Sequence, residues 1–203
     1  MSRLTIAGAA CALWLAASPA AAEPFENFVD MCLKTDVDRQ AAGARAKAIG
    51  WFALPVDPAT ADETGMEDAA IYMNVDPLNA GAKPPHDLEM LATGWGAGDQ
   101  VFDVGGIGMD ACVVMTAQTT GVDFAVRLEE LLGFAPTALD GDRAWVFSRV
   151  GTGFRSEAAL LDLTDDDPEA LRRLARERKI YFAGVLIEET MTGLMVAAIR
   201  PGD

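Results

Sequence analysis

Two cysteines eighty positions apart, behind an N-terminal leader, constrain this chain more than any other feature. The sequence opens MSRLTIAGAACALWLAASPAAA and continues EPFENF. Arg3 supplies a short basic region and Leu4 to Ala17 an apolar stretch. Ser18-Pro19 breaks that stretch, and Ala20 and Ala22 are small residues at −3 and −1 of a cut before Glu23. This is the pattern of a secretory signal peptide over residues 1–22. The run is too short and too rich in alanine to serve as a membrane span of about 20 residues. No stable membrane insertion is therefore expected after cleavage. Cys11 leaves with the leader; much of the apolar stretch follows it, whereas a lipoprotein signal has that stretch before the cysteine. Cys32 and Cys112 remain. In an oxidising compartment an even pair becomes a disulfide. The bridge would close a loop worth roughly 4–5 kcal/mol in the chain-entropy model.

Removing 22 of 203 residues leaves 181, a single domain over 23–203 that can bury a core of its own. The full chain carries a formal charge of −15, and loss of Arg3 takes the remainder to −16. Such a field repels nucleic acid and anionic headgroups and favours basic partners. Twelve arginines to four lysines and abundant alanine suggest a GC-rich coding sequence. With the leader, they predict a periplasmic or secreted protein of a Gram-negative bacterium.

Phe25, Phe28, Val29, Cys32 and Leu33 follow helical spacing, with Cys32 on the buried side. Thr35-Asp36-Val37-Asp38 reads as a capping box opening a second helix. Its inner face is expected at Val37, Ala41, Ala44 and Ala48, with Gly50 at C′ and Trp51 as a latch. Residues 25–50 thus predict a helical hairpin. Residues 54–68 read as a loop. Strands are then expected at 69–75, 88–95, 100–105 and 111–118, with short Gly- and Asp-rich turns that favour antiparallel neighbours. Both faces of ACVVMTAQ are mostly apolar, so 111–118 reads as a central strand. DFAVRLEELL is a third helix, capped by Thr120, buried through Phe124, Leu128 and Leu131, and ended at Gly133. A strand is expected at 144–150. A fourth helix follows with Asp167 as N-cap and Pro168 at N1, then a closing hairpin over 179–189 and 194–200. The fold class is α+β: a mainly antiparallel sheet, the N-terminal hairpin packed on it, and two further helices.

Chemical motifs are few. His86 is the only histidine; with two paired cysteines it cannot furnish an ordinary zinc site. Neither Ser148 nor Ser156 lies in a Gly-x-Ser-x-Gly elbow. Asp103, Asp110, Glu188 and Glu189 lie in or beside predicted strands and are the carboxylates available for a two-carboxyl hydrolase. Asp165-Asp166-Asp167 lacks the Gly and Glu of an EF-hand loop and reads as negative charge at a helix start. The glycines of 94–98 and 105–108 read as hairpin turns, since no phosphate-loop signature surrounds them. Scattered methionines read as core filler. Arg172, Arg173 and Arg176 concentrate positive charge in an acidic chain and mark a candidate anion-binding patch. No catalytic residue, metal ligand or cofactor is assigned.

Phe25, Cys32, Thr35, Asp38 and Gly50-Trp51, with the alanine-rich helix between, resemble the N-terminal segment of uncharacterised exported proteins of alphaproteobacteria. The resemblance spans about 30 residues and implies no activity. The expectation is an exported, non-enzymatic binding or accessory protein, inhibitor- or immunity-like toward a basic protein, or binding a small ligand. The alternatives are a carboxylate-based hydrolase of envelope glycan or peptide, and a structural envelope component.

Overall fold

In the computed structural model, which describes residues 23–56, 66–75, 87–97, 106–117, 123–139, 142–160 and 168–201, the N-terminal apolar spacing forms a helix and then departs from one. Pro24–Phe28 is α1, with Pro24 at the position where its missing N–H costs nothing. Val29–Leu33 continues as a π-helical turn, the Lys34 N–H donating to the Val29 carbonyl at 2.9 Å. Met31, Cys32 and Leu33 are all buried. Three consecutive buried residues would be spread by the roughly 100° step of an α-helix. The wider turn is what admits Met31, which the sequence spacing left outside.

The predicted capping box resolves differently. The Thr35 hydroxyl turns back and donates toward the Met31 and Cys32 carbonyls. Asp38 is the cap, accepting from the Ala41 N–H at 2.7 Å, and α2 runs Arg39–Ala48. Asp36 and Val37 lie outside any helix, both at φ 61°. The helix therefore starts later, and its buried face is Ala42, Gly43 and Ala46 in place of Ala41, Ala44 and Ala48. The value of small residues there stands: a Cβ on Gly43 would collide with the Tyr72 hydroxyl and ring. Gly50 at φ 90° ends the hairpin and Trp51 is buried behind it.

Among the described residues, nine strands form one antiparallel sheet: β1 Phe52–Leu54, β2 Met66–Met73, β3 Glu89–Ala97, β4 Ile107–Thr116, β5 Thr137–Leu139, β6 Asp142–Val150, β7 Gly153–Ser156, β8 Ile180–Ile187 and β9 Thr192–Pro201. Their order is β1-β2-β3-β4-β9-β8-β6-β5, with β7 also on β6. The molecule is α+β, and β4 is central as expected. Cys112 and Val114 face the N-terminal hairpin, whose core also takes Leu91, Trp145, Phe147, Tyr181 and Val196. α3, Phe124–Leu132, covers the β6–β8 side of that same face. Asp123 caps it by accepting from the Val126 N–H, and its third buried residue is Leu132, with Leu131 exposed. α4, Pro168–Glu177, covers part of the opposite face with Leu171 and Ala175 against Ile107, Ile180 and Ile199.

Several strands differ from expectation. β3 runs through Gly94 and Gly96, so these glycines are strand interior, and a Cβ on Gly94 would meet the flexible end of the Met66 side chain. Gly108 is likewise in β4, under Trp95. The short β1, β5 and β7 went unread, since three or four residues carry too little alternation. The leader, the strand expected at 100–105, His86, Asp103, Thr120 and Asp165–Asp167 lie outside the described residues.

Candidate functional site

The disulfide exists as expected. Cys32 and Cys112 are bonded with their Cα atoms 5.5 Å apart, and neither sulfur reaches solvent. It joins the π-helical turn to the central strand and carries no reactive thiol.

Immediately beyond it, the chain reverses through two non-glycine residues in the left-handed region. That conformation costs an L-residue roughly 1–2 kcal/mol, least for Asp and most for a β-branched residue. Two things hold it. Val37 is buried, at 1 % exposure. Asp36 is gripped by the opposing strands: its carboxylate accepts from the Tyr181 hydroxyl and from Lys179 Nζ at 2.9 Å, with Arg149 Nε at 3.6 Å. Lys179 also donates to the Asp36 carbonyl, and Arg149 to the Leu33 carbonyl. Burial raises the Asp36 carboxyl, but the Tyr181, Lys179 and Arg149 donors outweigh it and hold the group below the ordinary carboxylate range. Tyr181 is pushed far up, first by burial and then by Asp36. This is a docking site for the hairpin turn.

Glu157 is a second saturated carboxylate. It accepts from the Ser148 hydroxyl at 2.7 Å, from Arg155 at 2.8 Å and from Arg178 at 2.9 Å. Burial raises it, but these donors prevail and lower its pKa. Ser148 is thus consumed as a donor.

Glu89 is different. It is 7 % exposed, and a neutral group, the Asn27 amide, donates to its carboxylate at 2.6 Å. Burial raises its pKa, the Asn27 bond opposes, and Asp87 adds to the rise. The folded pKa lies above the unfolded one. Its contribution is therefore full below the unfolded carboxylate range and is lost as pH rises through the folded pKa. Glu89→Gln keeps an acceptor for Asn27 without the charge. It is expected to match wild type near pH 4 and to exceed it by about 1 kcal/mol at pH 8. Urea unfolding at both pH values checks this, and an equal difference at both would contradict it.

A fourth polar site occupies one corner of the helical face. On β3, Trp95 pairs with Asp110 of β4, and Gly108 of β4 pairs with Arg200 of β9. Arg200 Nε lies 3.0 Å from the Asp110 carboxylate, and its guanidinium 5.3 Å from the Trp95 ring centre. A Cβ on Gly108 would fall 2.8 Å from Trp95 Nε1, so the indole needs a glycine beneath it.

The sequence-predicted residues fall as follows. Arg172 pairs with Glu169 and reaches toward Gly106, while Arg173 and Arg176 are exposed on α4. Asp110 sits by the outer end of β9, opposite Ala198, whereas Glu188 and Glu189 follow β8 at the far end, where Ile187 pairs with Thr192. Six residues of strand at about 3.3 Å each separate these levels by about 20 Å. A two-carboxyl glycosidase needs about 5–9.5 Å, so these carboxylates do not form a pair. Among the described residues, no group of three or more His, Cys, Asp or Glu is placed to hold a metal ion, and no helix is long and apolar enough to cross a membrane. Sequence reasoning missed the Asp36 turn, for which no local signal exists. It also missed Glu89, whose place in alternation with Leu91 and Thr93 was a usable sign of an inward carboxyl.

No family model, no curated protein and no solved structure matches this chain.

Proposed function

We propose that this chain is an exported, non-enzymatic binding or accessory protein of the Gram-negative periplasm, inhibitor- or immunity-like, whose acidic surface meets a basic partner. The observation that carries this reading is a set of exposed apolar residues set among carboxylates. Val126 is 46 %, Leu131 36 % and Ile187 79 % exposed. Glu129 and Glu130 flank the first two on α3, and Glu188 and Glu189 follow Ile187 at the β8–β9 tip; all four are exposed. These two elements belong to one end of the sheet. Arg127 of α3 binds Glu23 and Glu26 beside α1, and Asn27 of α1 binds Glu89. Glu89 pairs with Thr116, Thr116 with Thr192, and Thr192 with Ile187. Acidic rims around apolar anchors steer and orient a basic surface, with an on-rate that falls as salt rises. The leader-like residues 1–22 and the buried disulfide agree with export.

The test is affinity capture from periplasmic extract of the source bacterium at low salt. The immobilised wild-type protein is compared with a variant carrying Glu129→Lys, Glu130→Lys, Glu188→Lys and Glu189→Lys. A basic protein retained by wild type, eluted by salt and lost with the variant is expected. Retention of nothing, or retention indifferent to charge reversal, would refute the reading.

A further inference from the structure

Methionines that are dispersed in the sequence are gathered by strand register. On the sheet face turned away from the disulfide, Met73 of β2 stands directly opposite Met90 of β3, and Met90 directly opposite Met115 of β4. Met115 is opposite Gly193 of β9, and Met195 follows two residues on, in the same alternation. Opposite residues have Cβ atoms about 4.5–5.5 Å apart, and diagonal ones about 7–8 Å, within reach of long side chains. The four thioethers therefore form one row across four adjacent strands. Met73, Met90 and Met195 are half-buried and Met115 is 6 % exposed, so the row reaches solvent through three of its members. α4 packs on this face at Ile107, Ile180 and Ile199, the other end of β4 and β9 from Met115 and Gly193.

Core filling does not explain this row. A partly exposed strand position is better served by a β-branched residue than by methionine. Around the row the same face carries Ile71, Ala92, Val113 and Leu186. None of these offers oxygen or nitrogen to a hard or borderline cation, which needs such ligands. Thioethers are soft donors and select a soft ion such as Cu(I). Three rotatable bonds let them converge, and Gly193 leaves the Met115 sulfur room, since a Cβ there would collide with it. Cys32 and Cys112 are bonded to each other and offer no thiol in competition. The negative charge of the chain raises the local concentration of any cation.

We infer that the Met73–Met90–Met115–Met195 row is a binding site for a soft monovalent cation, Cu(I) or its analogue Ag(I). Met90 and Met115 are its central ligands, with Met73 and Met195 on the flanks. The site shares no residue with the acidic docking surface, and the two stand or fall separately.

The readout is the set of methionine methyl cross-peaks in a proton–carbon correlation spectrum of residues 23–203, which hold the whole described fold. Single Met→Leu variants assign the peaks; this near-isosteric exchange costs less than about 1.5 kcal/mol. Silver nitrate is titrated in chloride-free buffer, then Cu(I) under anaerobic ascorbate, with Zn(II) as the borderline rival. The expected result is saturation at one Ag(I) per chain, with the Met90 and Met115 methyls moving most. Met31, buried in the helical core, and Met66, at the far end of β2, should stay in place. Met90→Leu and Met115→Leu are each expected to weaken Ag(I) binding at least about tenfold, and Met66→Leu and His86→Gln to leave it unchanged. Should Met115→Leu fail to fold, the half-buried Met90 carries the test alone. The absence of a saturable shift would overturn the assignment, as would shifts spread evenly over all methionines or an equal response to Zn(II). Affinity unchanged in the Met90 variant, or lost with His86→Gln, would do the same.

Discussion

The doubly substituted Cys32→Ala, Cys112→Ala protein is expected to fold and to lose about 4 kcal/mol of stability. The two residues are 80 apart in sequence, so the bond closes a long loop in the unfolded chain. The chain-entropy model assigns such a loop roughly 4–5 kcal/mol. Folding survives because the hairpin has other holds. Phe28, Met31, Leu33, Val37 and Ala42 are buried in the same core, and a fully buried aliphatic or aromatic side chain contributes about 1.5–3 kcal/mol. For a domain of this size the loss corresponds to a fall in Tm of about 10–15 °C. Urea and thermal unfolding without reductant measure it. A change below about 1 kcal/mol would mean that the unfolded ensemble already keeps the hairpin near β4. Titration of denatured, unreduced wild type should reveal no free thiol, and two thiols would contradict the bridge.

What could be read from the sequence, and what could not, follows from the range of the interactions involved. Helices α3 and α4 announce themselves through local terms, such as the apolar spacing of Phe124 and Leu128, Gly133 at φ 82°, and Pro168 at the first helical position. The centrality of β4 was legible because both of its faces are apolar. The cysteine pair followed from compartment and count. The polar sites had no comparable signal. Asp36 meets Tyr181 across 145 positions, and Asn27 meets Glu89 across 62. Such partners are chosen by strand register, which no local pattern encodes. The same holds at the Trp95 corner. Three tryptophans dispersed along residues 23–203 carry no information, but register sets one of them beside Arg200 and over a glycine. Arg172 shows what the sequence alone does not weigh. Within the candidate anion-binding patch it pairs with Glu169 one helical turn away, and Arg173 and Arg176 are exposed. Charge in sequence overstates charge at a surface, because i,i+3 and i,i+4 partners neutralise it locally.

The Asp36 turn is where local cost and long-range contact meet, and Asp36→Asn is expected to destabilise the protein by about 2 kcal/mol near neutral pH. Asparagine is the informative replacement. It tolerates the left-handed region as aspartate does, whereas alanine at φ 61° would add a backbone penalty of roughly 1–2 kcal/mol unrelated to charge. Asn retains an acceptor for the Tyr181 hydroxyl and removes only the charge that Lys179 and Arg149 share. Charge-assisted hydrogen bonds contribute about 1.5–3 kcal/mol. The lower part of that range applies because Lys179 and Arg149 are one-third exposed and can turn to water. The pH dependence separates charge from packing. The Asp36 pKa is lowered in the fold, so its contribution is fully present above the unfolded value of about 3.9 and is lost as pH falls through the folded pKa. The gap between wild type and Asp36→Asn should therefore be widest at pH 6–7 and close as the pH falls toward 2. Urea midpoints across that range measure it. A gap that stays constant would assign the effect to geometry alone, and the turn would then be held by the buried Val37 and the disulfide without help from its ion pairs. A gap that closes makes the two cations, Arg149 and Lys179, and the Tyr181 hydroxyl the reason that a β-branched residue can sit at φ 61° beside the covalent link.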